Sequence, residues 1–194
     1  EHTAFLTDPY TNERFPGDRG RLTIPAERMR ELVMAAAKEG EPVRIHVIGD
    51  AAIHAALDIF EEAYRIYGLP KHGHNTLEHL ENLLAEDIDR LRELHVVASS
   101  QPCHITLDPG GPERDLGEER VKIMWPFATY EERGITQAFG TDSPITPVTS
   151  MNVLYPAVTR QDPESHLPKG GWLPSERISM ASALRNYTLG SATA

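Results

Sequence analysis

The stretch Ile135-Thr136-Gln137-Ala138-Phe139-Gly140-Thr141-Asp142-Ser143-Pro144 is a short apolar run that ends abruptly in a carboxylate. Two earlier runs end in the same manner, each in a histidine: Pro42-Val43-Arg44-Ile45-His46-Val47-Ile48-Gly49-Asp50 and His74-Asn75-Thr76-Leu77-Glu78-His79-Leu80. Both of these lead into residues with helical periodicity. Strand-helix units that present His, His and Asp at the carboxyl ends of buried strands are the pattern from which a (β/α)8 barrel builds a metal site. The fold class expected is therefore α/β with parallel strands.

Working outward from these runs, residues 1 to 24 carry Pro9, Asn12, Pro16, Gly17, Asp18 and Gly20, a density of turn formers that predicts loop. Pro25 stands at a helix start, Met29, Leu32, Val33, Ala36 and Ala37 share a face, and Gly40 ends the run. Val43 to Ile48 reads as a strand. Ala51 to Tyr67 follows as a helix with an apolar stripe of Ile53, Leu57, Phe60, Ala63 and Tyr64. The unit recurs: Asn75 to Leu80 is the next strand, and Leu83, Leu84, Ile88, Leu91 and Leu94 repeat at helical spacing. Val96 to Pro102 is a third strand, continuous in β-branched and small residues as a strand covered on both faces should be. Residues 106 to 118, with Pro109, Gly110, Gly111, Pro112 and Gly117, predict a long loop. Met124 to Arg133 predicts a helix and Ile135 to Phe139 the fourth strand. Beyond Asp142 the proline-rich segment to Trp172 predicts mainly loop with a short helix around Met151 to Arg160, and Ile178 to Tyr187 a final helix.

At 194 residues with 40% apolar and 25% charged content, the chain has the composition of one globular domain. A formal charge of -10 without clustered Lys and Arg argues against nucleic acid as a partner. Cys103 is the single cysteine, so neither an internal disulfide nor a thiolate-rich metal site can form. No apolar run approaches the ~20 residues of a membrane span, and no charged-then-apolar leader opens the chain. A cytoplasmic protein away from membranes is expected. The start at Glu1 and the stop at Ala194 inside helical sequence suggest a piece of something longer.

His46, His79, His104 and Asp142 stand at or just beyond the ends of four consecutive strands, which in a parallel barrel share one face. Imidazole nitrogen and carboxylate oxygen suit Zn²⁺ and similar ions. Taken singly, His46 could equally be a core histidine bonded to a carbonyl. Glu78 should point away from His79 in a regular strand and form an ion pair with a neighbouring element, and Asp50 should cap the helix that begins near Ala51. The motifs of serine hydrolases, dinucleotide-binding folds, P-loops and H-E-x-x-H zinc enzymes are absent, and no lysine ends a predicted strand. Metal chemistry is what remains.

With these residues in place, the chain resembles the amidohydrolase superfamily, specifically the amidohydrolase family 3 group that includes YtcJ-like proteins and N-substituted formamide deformylases. Ile45-His46-Val47-Ile48-Gly49-Asp50-Ala51-Ala52 is similar to that group's H-x-x-G-D-x-A stretch on strand five and Leu77-Glu78-His79 to its I-E-H on strand six. Gln101-Pro102-Cys103-His104 is similar to its Q-P-x-H after strand seven, and Gly140-Thr141-Asp142-Ser143-Pro144 to its G-S-D-x-P after strand eight. Ala157-Val158-Thr159-Arg160 and Ala183-Leu184-Arg185-Asn186-Tyr187-Thr188 match two further signatures.

The resemblance implies a partial TIM barrel, strands five to eight. It implies His46 and His79 as metal ligands and Asp142 as a ligand that also exchanges a proton with the hydrolytic water. It implies His104 beside a small-molecule substrate. The cofactor implied is a divalent metal such as zinc, one or two ions in the full-length protein, and the activity is hydrolysis of C-N bonds in amide-like or cyclic-amide substrates. The H-x-H pair of strand one, the strand-four residue that bridges two metals and the small β-sandwich of full-length members would lie outside this sequence. This piece is thus expected to be inactive alone. A non-catalytic binding or regulatory protein on the same half-barrel scaffold is the alternative.

Half a barrel leaves open sheet edges and uncovers interior apolar residues, so self-association of this chain is expected. Sedimentation should show concentration-dependent oligomers, whereas a well-behaved monomer would count against the half-barrel reading.

Overall fold

Four short strands, Arg44–Val47 (β1), Thr76–His79 (β2), Val97–Ser100 (β3) and Gln137–Phe139 (β4), pair in parallel and in sequence order to make one sheet. The computed structural model describes residues 2–194. The helices Ala26–Glu39 (α1), Asp50–Tyr67 (α2), Asp87–Glu93 (α3), Gly111–Leu116 (α4) and Phe127–Glu132 (α5) precede or connect the strands, and Ser150–Thr159 (α6) and Met180–Arg185 (α7) follow them.

Side chains alternate in burial along β1, whereas β3 and β4 are buried at every position. In β1, Ile45 and Val47 are buried while Arg44 and His46 are exposed, so one face of the strand packs and the other stays open. Ile45 lies opposite Leu77 in the ladder, and both belong to a core completed by Ile53, Leu57, Phe60 and Ala63 of α2 and Leu91 of α3. A second core gathers Leu6, Ile105, Trp125, Phe127, Phe139, Val153 and Ile178 around the exit of β4. Arg160 is fully buried in this second core. Its guanidinium donates to the carbonyls of Trp172 and Trp125, both at 2.8 Å, and lies over the rings of Phe127 and Trp172. Burial lowers its pKa to about 10, opposed by Glu176, so it remains a cation that binds two loops to the end of α6.

Three expectations change. Residues 106 to 118 are not loop throughout, because Gly110 in the left-handed conformation and Pro112 in the first turn start α4. Pro and Gly read as breakers in sequence also serve as helix starters. The helices expected over Leu83 to Leu94 and Met124 to Arg133 are shorter, and α5 begins only after Pro126. Asp50 does not cap α2 from outside. It is the helix's first residue, Gly49 holds the cap position, and its carboxylate accepts the Thr7 N–H and hydroxyl, both at 2.8 Å. Gly49 has φ 108°, and a Cβ there would fall 2.1 Å from the Phe5 carbonyl, so the close approach of the N-terminal segment requires glycine.

That segment is irregular, as its composition predicts, and buried charge holds it. Asp18 is buried and accepts from Arg14 Nε at 3.0 Å and the Gly20 N–H at 3.1 Å, with His2 Nδ1 also at 3.1 Å. Burial pushes its pKa up, but these hydrogen bonds outweigh it and hold the carboxyl well below the usual carboxylate range. A carboxylate with a depressed folded pKa stabilises the fold above its unfolded value of about 4, and that contribution is lost as pH falls below it. Urea midpoints should therefore drop on acidification from about pH 5 to about pH 2, with a shallower drop in Asp18→Asn. The same slope in both proteins would contradict this role.

Candidate metal centre

Because the ladder is parallel and ordered, all four strands leave the sheet at the same edge. His46 is the third residue of β1 and His79 the last of β2. His104 sits in the 3-10 turn Pro102–Thr106 beyond β3, and Asp142 follows the end of β4 at Phe139. The His46 and His79 rings meet edge to face with centroids 4.4 Å apart. His79 and His104 are stacked at 5.8 Å. His104 Nε2 lies 3.9 Å from an Asp142 carboxylate oxygen, and its Nδ1 lies 3.5 Å from Glu81 Oε1. Side chains separated by nearly a hundred residues thus share one centre.

Strict alternation would not have brought His79 there. It pairs with Val47, which points into the core, yet its ring meets that of His46. The backbone supplies the change of direction: His79 has φ 78° and Leu80 φ 50°. Left-handed conformation in such residues costs on the order of 1 kcal/mol or more and persists where surrounding structure enforces it. Here Leu80 is fully buried in the first core, which fixes the reversal. Asp142 also has positive φ, 53°. Its carbonyl accepts the Ile145 N–H at 2.8 Å, and the preceding Thr141 carbonyl accepts from the Thr146 hydroxyl at 2.5 Å. Glu78 takes the plain role: it pairs with Arg44 at 3.2 Å and accepts from Gln101 at 3.1 Å.

Two imidazole nitrogens, His79 Nδ1 and His104 Nε2, are buried without a hydrogen-bond partner among the described residues. A buried polar atom left unpaired is costly and calls for a ligand or water. Among the described residues, His79, Glu81 and His104 each offer a ligand atom lying within 4.8 Å of the others. Two nitrogens and a carboxylate oxygen are a donor set that suits zinc-class cations. His46 adjoins this trio through His79, and Asp142 through His104. Glu81 was not singled out from sequence, although a carboxylate two residues beyond a strand-ending histidine was the available signal. A cavity of about 280 Å³ opens beside Glu81 and His104, with Tyr10, Asn82 and Trp125 in its wall.

Burial first, and the neighbouring His46 second, lower the pKa of His79, against the opposing pull of Glu81 and Asp142. A neutral ring keeps a lone pair for a cation. Nitrogen-detected NMR titration of the metal-free chain should find His79 protonating below the ordinary imidazole value of about 6.5; a midpoint above it would mean the carboxylates dominate instead.

The family model described as amidohydrolase family matches residues 1–194. The chain is 33% identical over 181 residues to the Arabidopsis thaliana protein LONG AFTER FAR-RED 3, covering 92% of this chain and 30% of that one. It is 31% identical over 192 residues to the amidohydrolase YtcJ of Bacillus subtilis strain 168, covering 98% and 35%. A crystal structure of a metal-dependent hydrolase from Pyrococcus horikoshii OT3 matches with a TM-score of 0.83 at 31% identity, covering 98% of this chain and 37% of that one. The chain therefore spans about a third of the length of these relatives. With a family match over its whole length and histidines and carboxylates gathered at one sheet edge, this chain belongs to the amidohydrolase family.

Proposed function

We propose that the chain supplies the second half, strands five to eight, of the barrel of a metal-dependent hydrolase acting on C-N bonds of amide-like or cyclic-amide substrates. The observation that carries this reading is the pair of buried, unpartnered imidazole nitrogens facing carboxylates at the carboxyl edge of a parallel sheet. His46, His79 and Asp142 would hold the ion, zinc being the first choice, and Glu81 joins them as a donor of the same chemistry. When bound, such an ion brings the pKa of a water toward about 7 and polarises a carbonyl.

The residues of the chain do the rest. His104, in the wall of the cavity, is placed to donate a hydrogen bond to a substrate oxygen. Asp142 takes a proton from the attacking water and returns it to the leaving nitrogen, so one carboxylate serves both steps. Its positive φ and its anchored turn hold it in position while its side chain stays accessible, at 39% exposure.

Relatives about three times as long suggest that turnover needs the remainder of the barrel, and this piece alone is proposed to be inactive. In the full-length protein, Asp142→Asn keeps the shape and an oxygen but removes the base. Its kcat should fall by at least ~100-fold with metal content unchanged. Near-normal turnover in a metal-replete variant would remove Asp142 from the mechanism.

A further inference from the structure

Beyond the small cavity at His104 lies a larger one of about 460 Å³, between the segment around α4 and residues 162 to 172. The two cavities have Ile105, Asp108 and Pro112 in both walls, so they adjoin. The larger one presents mainly apolar surface, from Pro109, Leu167, Pro168 and Trp172. No Lys or Arg lines it, whereas Asp108, Glu113 and Asp162 do.

Trp172 is held as a rigid wall. Its indole N–H donates to Glu113 Oε1 at 2.5 Å, and the Arg160 guanidinium stands 5.3 Å from its ring centroid. What remains of the indole for a ligand is flat apolar surface, already immobilised, so binding there costs little side-chain entropy. The other oxygen of Glu113 is buried without a partner among the described residues, and Asp108 is already paired with Arg114 at 2.9 Å. Leu167, 56% exposed, stands in the wall without a place in either core.

From this geometry we propose that the larger cavity receives an uncharged aromatic or branched aliphatic substituent of the substrate, while the hydrolysed bond lies beside His104. The cavity is of the size and character of small-molecule pockets, and a carboxylate-bearing substituent would find no Lys or Arg among its lining residues to offset its desolvation. The inference rests on the reading of the histidine-carboxylate centre as the reacting end.

Calorimetric binding of N-benzylacetamide, N-methylacetamide and N-(4-carboxybenzyl)acetamide to the chain tests it without metal or turnover. The benzyl compound should bind ~10- to 100-fold more tightly than the methyl one, as burial of an aromatic side group implies, and the carboxybenzyl compound should lose most of that gain. Leu167→Glu, an exposed position whose change leaves both cores intact, should weaken benzyl binding at least ~5-fold and leave the methyl compound unaffected. Equal affinities, or a benzyl preference unmoved by Leu167→Glu, would overturn the inference. So would a loss of self-association in Leu167→Glu with benzyl binding intact, which would assign this face to a second copy of the chain. If the hydrolase reading alone is wrong, metal uptake and full-length turnover fail while the benzyl preference stands.

Discussion

Parallel pairing in sequence order is the constraint on which the rest of this molecule depends. A parallel strand cannot return by a tight hairpin, so the chain must cross back outside the sheet after every strand. All strands then exit at one edge, and whatever residue ends each strand is delivered there. The ladder β1-β2-β3-β4 therefore does for His46, His79, His104 and Asp142 what no local motif could. The alternation of β1 keeps that delivery in register, because a slip of one residue would send Ile45 to the open face and His46 into the core.

The carboxyl edge is built from irregular backbone, and buried polar side chains hold it in place. Asp50 receives Thr7, Asp18 gathers Arg14, Gly20 and His2, and Arg160 collects two tryptophan carbonyls. Asp50 and Arg160 each tie a loop to a helix, and Asp18 ties the N-terminal segment to itself, at points where apolar packing alone offers no directional contact. Removing one partner of such a buried group leaves the other unsatisfied, at a cost of about 1–3 kcal/mol or more for charged groups. Loops fastened in this way can line cavities without collapsing into them.

The sequence was most informative where hydrophobic periodicity and strand endings coincide. All four strands, the long helix α2 and the placement of His46, His79, His104 and Asp142 at or near the strand exits were legible from runs that end in His or Asp. Tertiary context hid the rest. Gly110 and Pro112 look like breakers yet start α4, since the left-handed conformation that suits glycine precedes a helix whose first turn suits proline. Asp50 looks like a helix cap, and its tie to Thr7 spans 43 residues, a distance over which local propensity is silent. Glu81 stands at the centre just past the backbone reversal at His79 and Leu80, and that reversal has no local sequence signal.

On the proposed function, the strand exits assemble a cation-binding centre from imidazoles and carboxylates. X-ray absorption at the zinc edge, on the chain loaded with one equivalent of Zn²⁺, addresses it most directly. A first shell of nitrogen and oxygen at about 2.0–2.1 Å with scattering from at least two imidazoles is expected, with loss of that imidazole signal in His79→Ala. A spectrum of water and carboxylate oxygens alone, indifferent to His79, would contradict it.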